Sequence, residues 1–289
     1  MADPLRRVHT QEPAYGVVDS KQTAAKGREK IFLASKESRR ISLIFLIVLV
    51  ILFVVSSGFT RFNPLAALFA QGEFWNFILT DFVPPYMGKW AALAQAVVQT
   101  ICMALAASGI AAVLSLGLSF LGTKTIVPSP VLNALVRGFA SILRNIPDLV
   151  WAFILVAAFG IGTVVGVLAL LIASTGSLTR FFIETLDEAA EENMEGLLAA
   201  GSAMPPVIFQ AILPAAMPGL IAWILYSVEL NIRASTILGM VGAGGIGLLL
   251  MGYIKQYNYP AASTAILAVA FIIIAVNILT EYLRKLILR

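Results

Sequence analysis

Five apolar runs, roughly 41–58, 90–122, 147–175, 215–240 and 260–283, most constrain what this chain can fold into. A helix needs ~20 mostly apolar residues to cross a bilayer, and each run reaches or approaches that length. Lipid offers backbone groups no water to bond, so a spanning segment closes its hydrogen bonds within a helix or a barrel. The ~10-residue alternating segments of a barrel are not seen in the sequence. Gly160 and Gly162 break the third run near residue 161, making two spans of it. The chain therefore reads as an all-α integral membrane protein of about six transmembrane helices, the third short and the fourth running through Leu186. Composition agrees: 59% of the 289 residues are hydrophobic and 12% are charged, against about 25% charged in soluble domains.

Cations orient such a chain, because Lys and Arg favour cytoplasmic loops. Nine of them, from Arg6 to Arg40, precede the first run. With the amino terminus inside and six crossings, 15 cations fall inside and only Arg61, Lys89 and Lys255 outside; Arg144 and Arg233 are set aside as membrane-embedded. Both termini are expected in the cytoplasm of a bacterium, the chain lying in the inner membrane. The division that follows is a basic tail over 1–40, a first anchor over 41–58, an external segment over 59–89 and a core over 90–289. Phe69, Phe74 and Trp75 mark an interfacial helix in the external segment. The first run lacks a small-residue cleavage pattern and reads as an anchor, not a signal peptide. The net charge of +4 reports this topology and not nucleic-acid binding. Cys102 is the one cysteine and His9 the one histidine, so neither an intrachain disulfide nor a cysteine-based metal site is expected.

A polar stretch, 184–214, interrupts the apolar pattern on the cytoplasmic side. Glu184, Asp187, Glu188, Glu191, Glu192 and Glu195 recur at helical spacing and share one face. That face is either simply solvated or meets cations, on a partner or in the basic tail. Gly201 permits a positive φ and hence a sharp turn between helices. Pro214 suits the first turn of the next helix. Between them, Pro205 to Leu213 is expected to form a short exposed knob, suited to insertion into a partner's groove.

Charges within the spans point to a pathway or to internal pairing, since one at mid-bilayer costs roughly 2.5–3.5 kcal/mol by insertion scales. Arg233 follows Pro214 by 19 residues, toward the outer half of the fifth span at ~1.5 Å per residue. Glu229 lies one turn earlier, placed to pair with it, and Asn231 adds polarity. Arg144 and Asp148 repeat the four-residue spacing around Pro147, with Asn145 placed to cap the helix beginning there. Residues 131–143 look amphipathic and fit the inner surface. Gln95 and Gln99, one turn apart in the second span, either bridge helices or line a path. Gly242, Gly244, Gly245 and Gly247 lack the strand and the Gly-Lys-Ser/Thr ending of a nucleotide loop. They read instead as an external turn or as close helix packing.

These elements together resemble a known family. EGLLAAGSAMPPVIFQAILP at 195–214 fits the pattern E-A-A-x3-G-x9-I-x-L-P, the loop by which membrane subunits of bacterial ABC importers dock onto their ATPase. Glu195, Gly201, Leu213 and Pro214 occupy its fixed positions, while Gly196, Leu197 and Ala211 depart from it. With RNIPDLVWA at 144–152 and AAMPGLIAWILYSVELNIRASTILGMVGAGGIG at 215–247, the chain from about residue 90 onward resembles the phosphonate-uptake permeases of ABC importers, within the methionine-importer-like permease superfamily. The resemblance implies a type I ABC importer permease fold and a non-catalytic transport subunit that binds no cofactor. It also implies three partners: a second copy of the chain, a cytoplasmic ATPase dimer carrying ATP and Mg, and a periplasmic or lipid-anchored substrate-binding protein. The solute implied is phosphonate or a related phosphorus oxyanion; phosphite, phosphate and methionine-like solutes stay open. An ion-coupled secondary transporter is the rival of another class, and it needs mid-membrane carboxylates, of which Glu229 is the one obvious candidate.

Overall fold

The computed structural model describes residues 36–287, apart from 64–65, 67–68, 70, 84 and 87. The basic tail expected over 1–40 lies outside the described residues as far as residue 35, and His9 with it. The chain divides into two units, Met1–Gln71 and Gly72–Arg289, and no strand occurs among the described residues. In the first unit, α1 (Lys36–Thr60) carries the first apolar run. Arg61 ends it in the left-handed region at φ +53°, where the Phe62 N–H donates to the Ser57 carbonyl at 3.0 Å.

All but the first residue of the short α2 (Gln71–Phe77) belongs to the second unit, and the helix ends in a π-helical turn. There follow α3 (Trp90–Gly122), α4 (Pro130–Asn145), α5 (Asp148–Phe159), α6 (Thr163–Ala199), α7 (Met204–Val207), α8 (Leu213–Leu238), α9 (Gly245–Lys255) and α10 (Tyr259–Ile287). Five helical stretches are long and apolar enough to cross a membrane, or six when α4 and α5 count as one broken span. Those two are bent by 82°. Pro147 is the cause: Ile146 before it is extended (φ −84°, ψ 120°), as the steric demand of the proline ring on its predecessor requires. Asn145 therefore ends α4 and caps no helix among the described residues, and Pro147 precedes α5 instead of entering its first turn. The break near 161 is made by Gly160 at φ +84°.

The core is built on α3 and α6, which run in the same direction. The Ser115 hydroxyl donates to the Thr175 carbonyl at 3.1 Å. Gly166 faces Met103, and Gly122 faces Ile183. Ala104, Ala107, Ala111 and Ala169 are wholly buried; small side chains let membrane helices approach closely where no hydrophobic drive separates helix from lipid. Further along, Leu178, Phe182 and Leu186 of α6 pack with Val207 and Ile212. Truncating a buried ring such as Phe182 to alanine costs about 3–5 kcal/mol.

The glycine-rich segment is not an external turn. Residues 242–247 are buried, and the Ile246 N–H donates to Thr100 at 2.8 Å. Thr100 lies ten residues, about 15 Å, from the Trp90 end of α3. A Cβ on Gly247 would stand 1.9 Å from the Thr236 carbonyl oxygen, so the backbones of α8 and α9 cross in direct contact. The chain then returns through α9, an apolar helix lying between the two last runs read from the sequence.

Candidate functional site

Two groups of residues carry functional chemistry, one at the far end of α6 and one among the spanning helices. Past Leu186, α6 continues as a helix to Ala199, as the helical spacing of the acidic residues predicts. Glu184, Glu188, Glu191, Glu192 and Glu195 are exposed on it, while Ile183, Leu186 and Ala190 are fully buried on the other side. The acidic face is thus mostly solvated. Asp187 is its exception, pairing with Arg137 of α4 at 2.7 Å; Arg180 pairs with Glu184 within one turn.

Gly201 stops the helix. It stands at φ +83°; its N–H donates to Leu198 at 2.9 Å and that of Ser202 to Leu197 at 3.0 Å. These two bonds form a Schellman motif, which needs a left-handed residue and so favours glycine. The knob expected over 205–213 is instead helical. α7, a π-helical turn over Ile208–Ile212 and α8 run on without a break. Pro205 and Pro206 sit in the first turn, where a missing N–H costs nothing. Pro214 lacks a donor, and its ring opposes the Gln210 carbonyl. The ladder therefore widens ahead of it, Leu213 donating to Ile208. Val207 and Ile212 are buried, Leu213 is half-buried, and Phe209 projects with 66% of its surface exposed.

Among the spans, Arg144 and Asp148 do not pair. The elbow at Pro147 puts them on different helices, and neither belongs to an ion pair among the described residues. Gly176 lets α6 lie directly against the end of α4, since a Cβ there would lie 2.7 Å from the backbone nitrogen of Arg144. Arg144 is exposed and Asp148 half-buried. Asp148 lines a cavity of about 150 Å³ between α5, α6 and α8, with Ser174, Ser177, Trp223, Tyr226 and Asn231. Asn231 is less a free pathway group than a bridge among three helices. It donates to Ser108 at 2.8 Å and exchanges hydrogen bonds with Ser174 at 2.8 and 3.0 Å.

Arg233 pairs with Glu229 at 3.1 Å, yet its side chain is 51% exposed against 15% for the acid. It belongs to the stripe Tyr226, Leu230, Arg233 and Ile237, whose spacing of four, three and four defines one helix face. Gln95 and Gln99 are exposed and face an open groove of about 410 Å³ between α3 and α9, with Gln256 beside them. Gln256, Ser174, Trp223 and Tyr226 escaped sequence reasoning. An isolated aromatic or serine on a span carries no signal of its own, and Gln256 follows a helix hidden between apolar runs.

Spanning helices with polar cavities between them, ending in an acidic helix and a helical turn, define a membrane permease. Residues 115–289 match the model of the family described as binding-protein-dependent transport system inner membrane component, and the chain belongs to that family. It is 34% identical over 205 residues to the phosphite transport system permease protein PtxC of Stutzerimonas stutzeri, covering 71% of this chain and 74% of that one. It is also 34% identical over 230 residues to the phosphate-import permease protein PhnE of Mycolicibacterium smegmatis, covering 78% of this chain but 42% of that longer protein. A putative cryptic phosphonate transport system permease protein, PhnE2 of Escherichia coli, matches at 34% over 41% of this chain and 97% of its own length. The fold is that of type I ABC importer permeases. A chain of the inward-facing MetNI methionine ABC transporter superposes with a TM-score of 0.60 at 20% identity, over 68% of this chain and 96% of that chain.

Proposed function

We propose that this chain forms the translocation pathway of a bacterial ABC importer for phosphonate or a related phosphorus oxyanion. The observation that carries the reading is the 34% identity, over 71% of the chain, with a permease named for phosphite, shared with relatives named for phosphate and phosphonate. Arg233 supports it, as an exposed cation on a spanning helix suited to meeting an anion.

Both termini and the 184–214 segment face the cytoplasm in this reading, where an ATPase dimer binds ATP and Mg and docks against Glu195, Gly201, Phe209 and Pro214. A second copy of the chain completes the pathway, and a substrate-binding protein delivers solute from outside. The permease itself binds no cofactor and catalyses no reaction. ATP binding closes the ATPases and moves the docking turn. Because the chain is helical from Met204 through Leu238, displacement at Phe209 is carried along α8 to Arg233, 24 residues away or roughly 36 Å, and biases an inward against an outward state.

Growth of a strain deleted for this chain, on single phosphorus sources, tests the assignment. Loss of growth on phosphonate or phosphite, restored by the intact chain, is expected. Equal growth on every source, in a host with no second uptake system, would overturn the phosphorus assignment.

A further inference from the structure

Three polar side chains on the membrane-spanning surface have nothing to bond. Gln95, Gln99 and Gln256 are exposed along the groove of about 410 Å³ between α3 and α9, and their amides have no hydrogen-bond partner among the described residues. Gln95 and Gln99 stand five and nine residues past Trp90, ~7.5 and ~13.5 Å along α3. Gln256 follows the last residue of α9. At the other limit Gly245 lines the groove, and a Cβ on it would lie 2.6 Å from the Thr100 hydroxyl. The groove thus runs from the Trp90 end of α3 to the level of Thr100.

Hydrocarbon offers an amide no partner, so a spanning face that carries three of them is turned to something polar. No charged side chain lines the groove. Each amide donates through its nitrogen and accepts through its carbonyl, a pairing that suits the P–O⁻ and P–OH groups of a singly protonated oxyanion. Being neutral, the three hold such an anion without trapping it, and passage requires binding weak enough to leave. The Lys89 ammonium lies 5.4 Å from the ring centroid of Tyr253, a residue of the groove wall, and adds positive potential at the Trp90 end. Gly252 keeps the wall low, since a Cβ there would meet nothing within 4 Å.

We propose that this groove is the outer half of the solute path, with Gln256, Gln95 and Gln99 as successive hydrogen-bonding positions that pass an oxyanion inward. The anion and the outward orientation rest on the function proposed above; the open, amide-lined groove rests on the geometry.

The test uses the complete transporter with its partner proteins, in a Cys102→Ser background that removes the one native thiol. Gln95→Cys and Gln99→Cys are treated from outside with a membrane-impermeant, sulfonate-bearing thiol reagent, itself an oxyanion. Both are expected to react, Gln99→Cys faster with a non-hydrolysable ATP analogue bound than without, and the reaction is expected to stop methylphosphonate uptake. Gly252→Leu fills the groove and Gln99→Glu repels the anion, and each should lower that uptake about tenfold, equivalent to roughly 1.4 kcal/mol, with the complex intact. Full uptake in Gly252→Leu, or thiols that react only with a lipid-soluble maleimide, shows the groove covered by lipid and overturns the path. A disulfide joining two copies of Gln99→Cys without sulfonate reaction, or a complex split by Gly252→Leu, shows a second copy seated there and overturns it too. Sulfonate access gated by nucleotide, together with equal growth of the deletion strain on every phosphorus source, upholds the groove as a path and overturns the phosphorus assignment alone.

Discussion

Arg137 of α4 holds Asp187 of α6 at 2.7 Å while its Nε donates to the Gly122 carbonyl at 3.1 Å. One guanidinium thus ties the last turn of α3, the amphipathic α4 and the acidic face of α6 together. Both charged side chains are mostly shielded, with 22% and 27% exposure, so the pair is worth more than a surface ion pair.

Arg137→Ala leaves a carboxylate and a carbonyl without their partner, at an expected cost of about 1–3 kcal/mol. Thermal unfolding of the purified complex should shift down accordingly. Uptake should fall further than the amount of chain in the membrane does, because the base of the docking segment is loosened. An unshifted melting temperature and full uptake would show the tie to be idle.

Gly201 separates backbone need from chemical need. A β-branched residue resists φ +83°, a left-handed conformation costing roughly 1–2 kcal/mol for ordinary residues and less for Asn. Gly201→Val is expected to abolish uptake while the chain still inserts, and Gly201→Asn to keep most of it. Among the described residues no side chain crowds the position, so equal loss in both variants would mean that a partner's surface needs the bare glycine.

Arg233→Ala removes the exposed cation from the α8 stripe and frees Glu229. Uptake of phosphorus oxyanions should drop about tenfold, one tenfold step corresponding to 1.4 kcal/mol, with the chain still folded by protease resistance. Unchanged uptake would make Arg233 dispensable.

Gly247→Ala places a methyl 1.9 Å from the Thr236 carbonyl oxygen. The α8–α9 crossing must open, and overpacking of this kind costs about 1–3 kcal/mol or more. A lowered melting temperature with the groove at Gln95 and Gln99 disturbed is expected; cysteine labelling at position 99 reads the latter.

Asn231→Leu deprives the buried Ser108 and Ser174 of their partner. Interhelical hydrogen bonds in membranes average about 0.6 kcal/mol, so a loss of roughly that size per bond should appear in denaturant unfolding. A more stable variant would show that packing, not the bridge, holds the three helices.

Much of the fold was legible in the sequence because lipid leaves few choices. The five apolar runs, the break near 161, the acidic helix face and the Arg233–Glu229 spacing follow from hydropathy and from a 3.6-residue period. What was illegible depended on competition between local rules. Pro205 and Pro206 read as turn formers and Pro214 as the start of a new helix, yet the first two open a helical turn and the third is absorbed into a continuous helix by a π-helical widening. Arg144 and Asp148 share the spacing of Arg233 and Glu229, and a proline between the first two cancels its meaning.

The sequence by itself determined that this chain spans a membrane with helices, where Gly201 turns it and which family it resembles, since hydrophobic length, a glycine at a helix end and a local motif are properties of short segments. Only the tertiary structure decided that Asn231 is a bridge, that the glycines after Gly239 are buried, and that Asp148 lines one cavity with Trp223 and Tyr226. Those relations join residues of α3, α5, α6, α8 and α9 that lie far apart in the chain. They follow from how close the small side chains of α3 and α6 let the helices come, which no local pattern encodes.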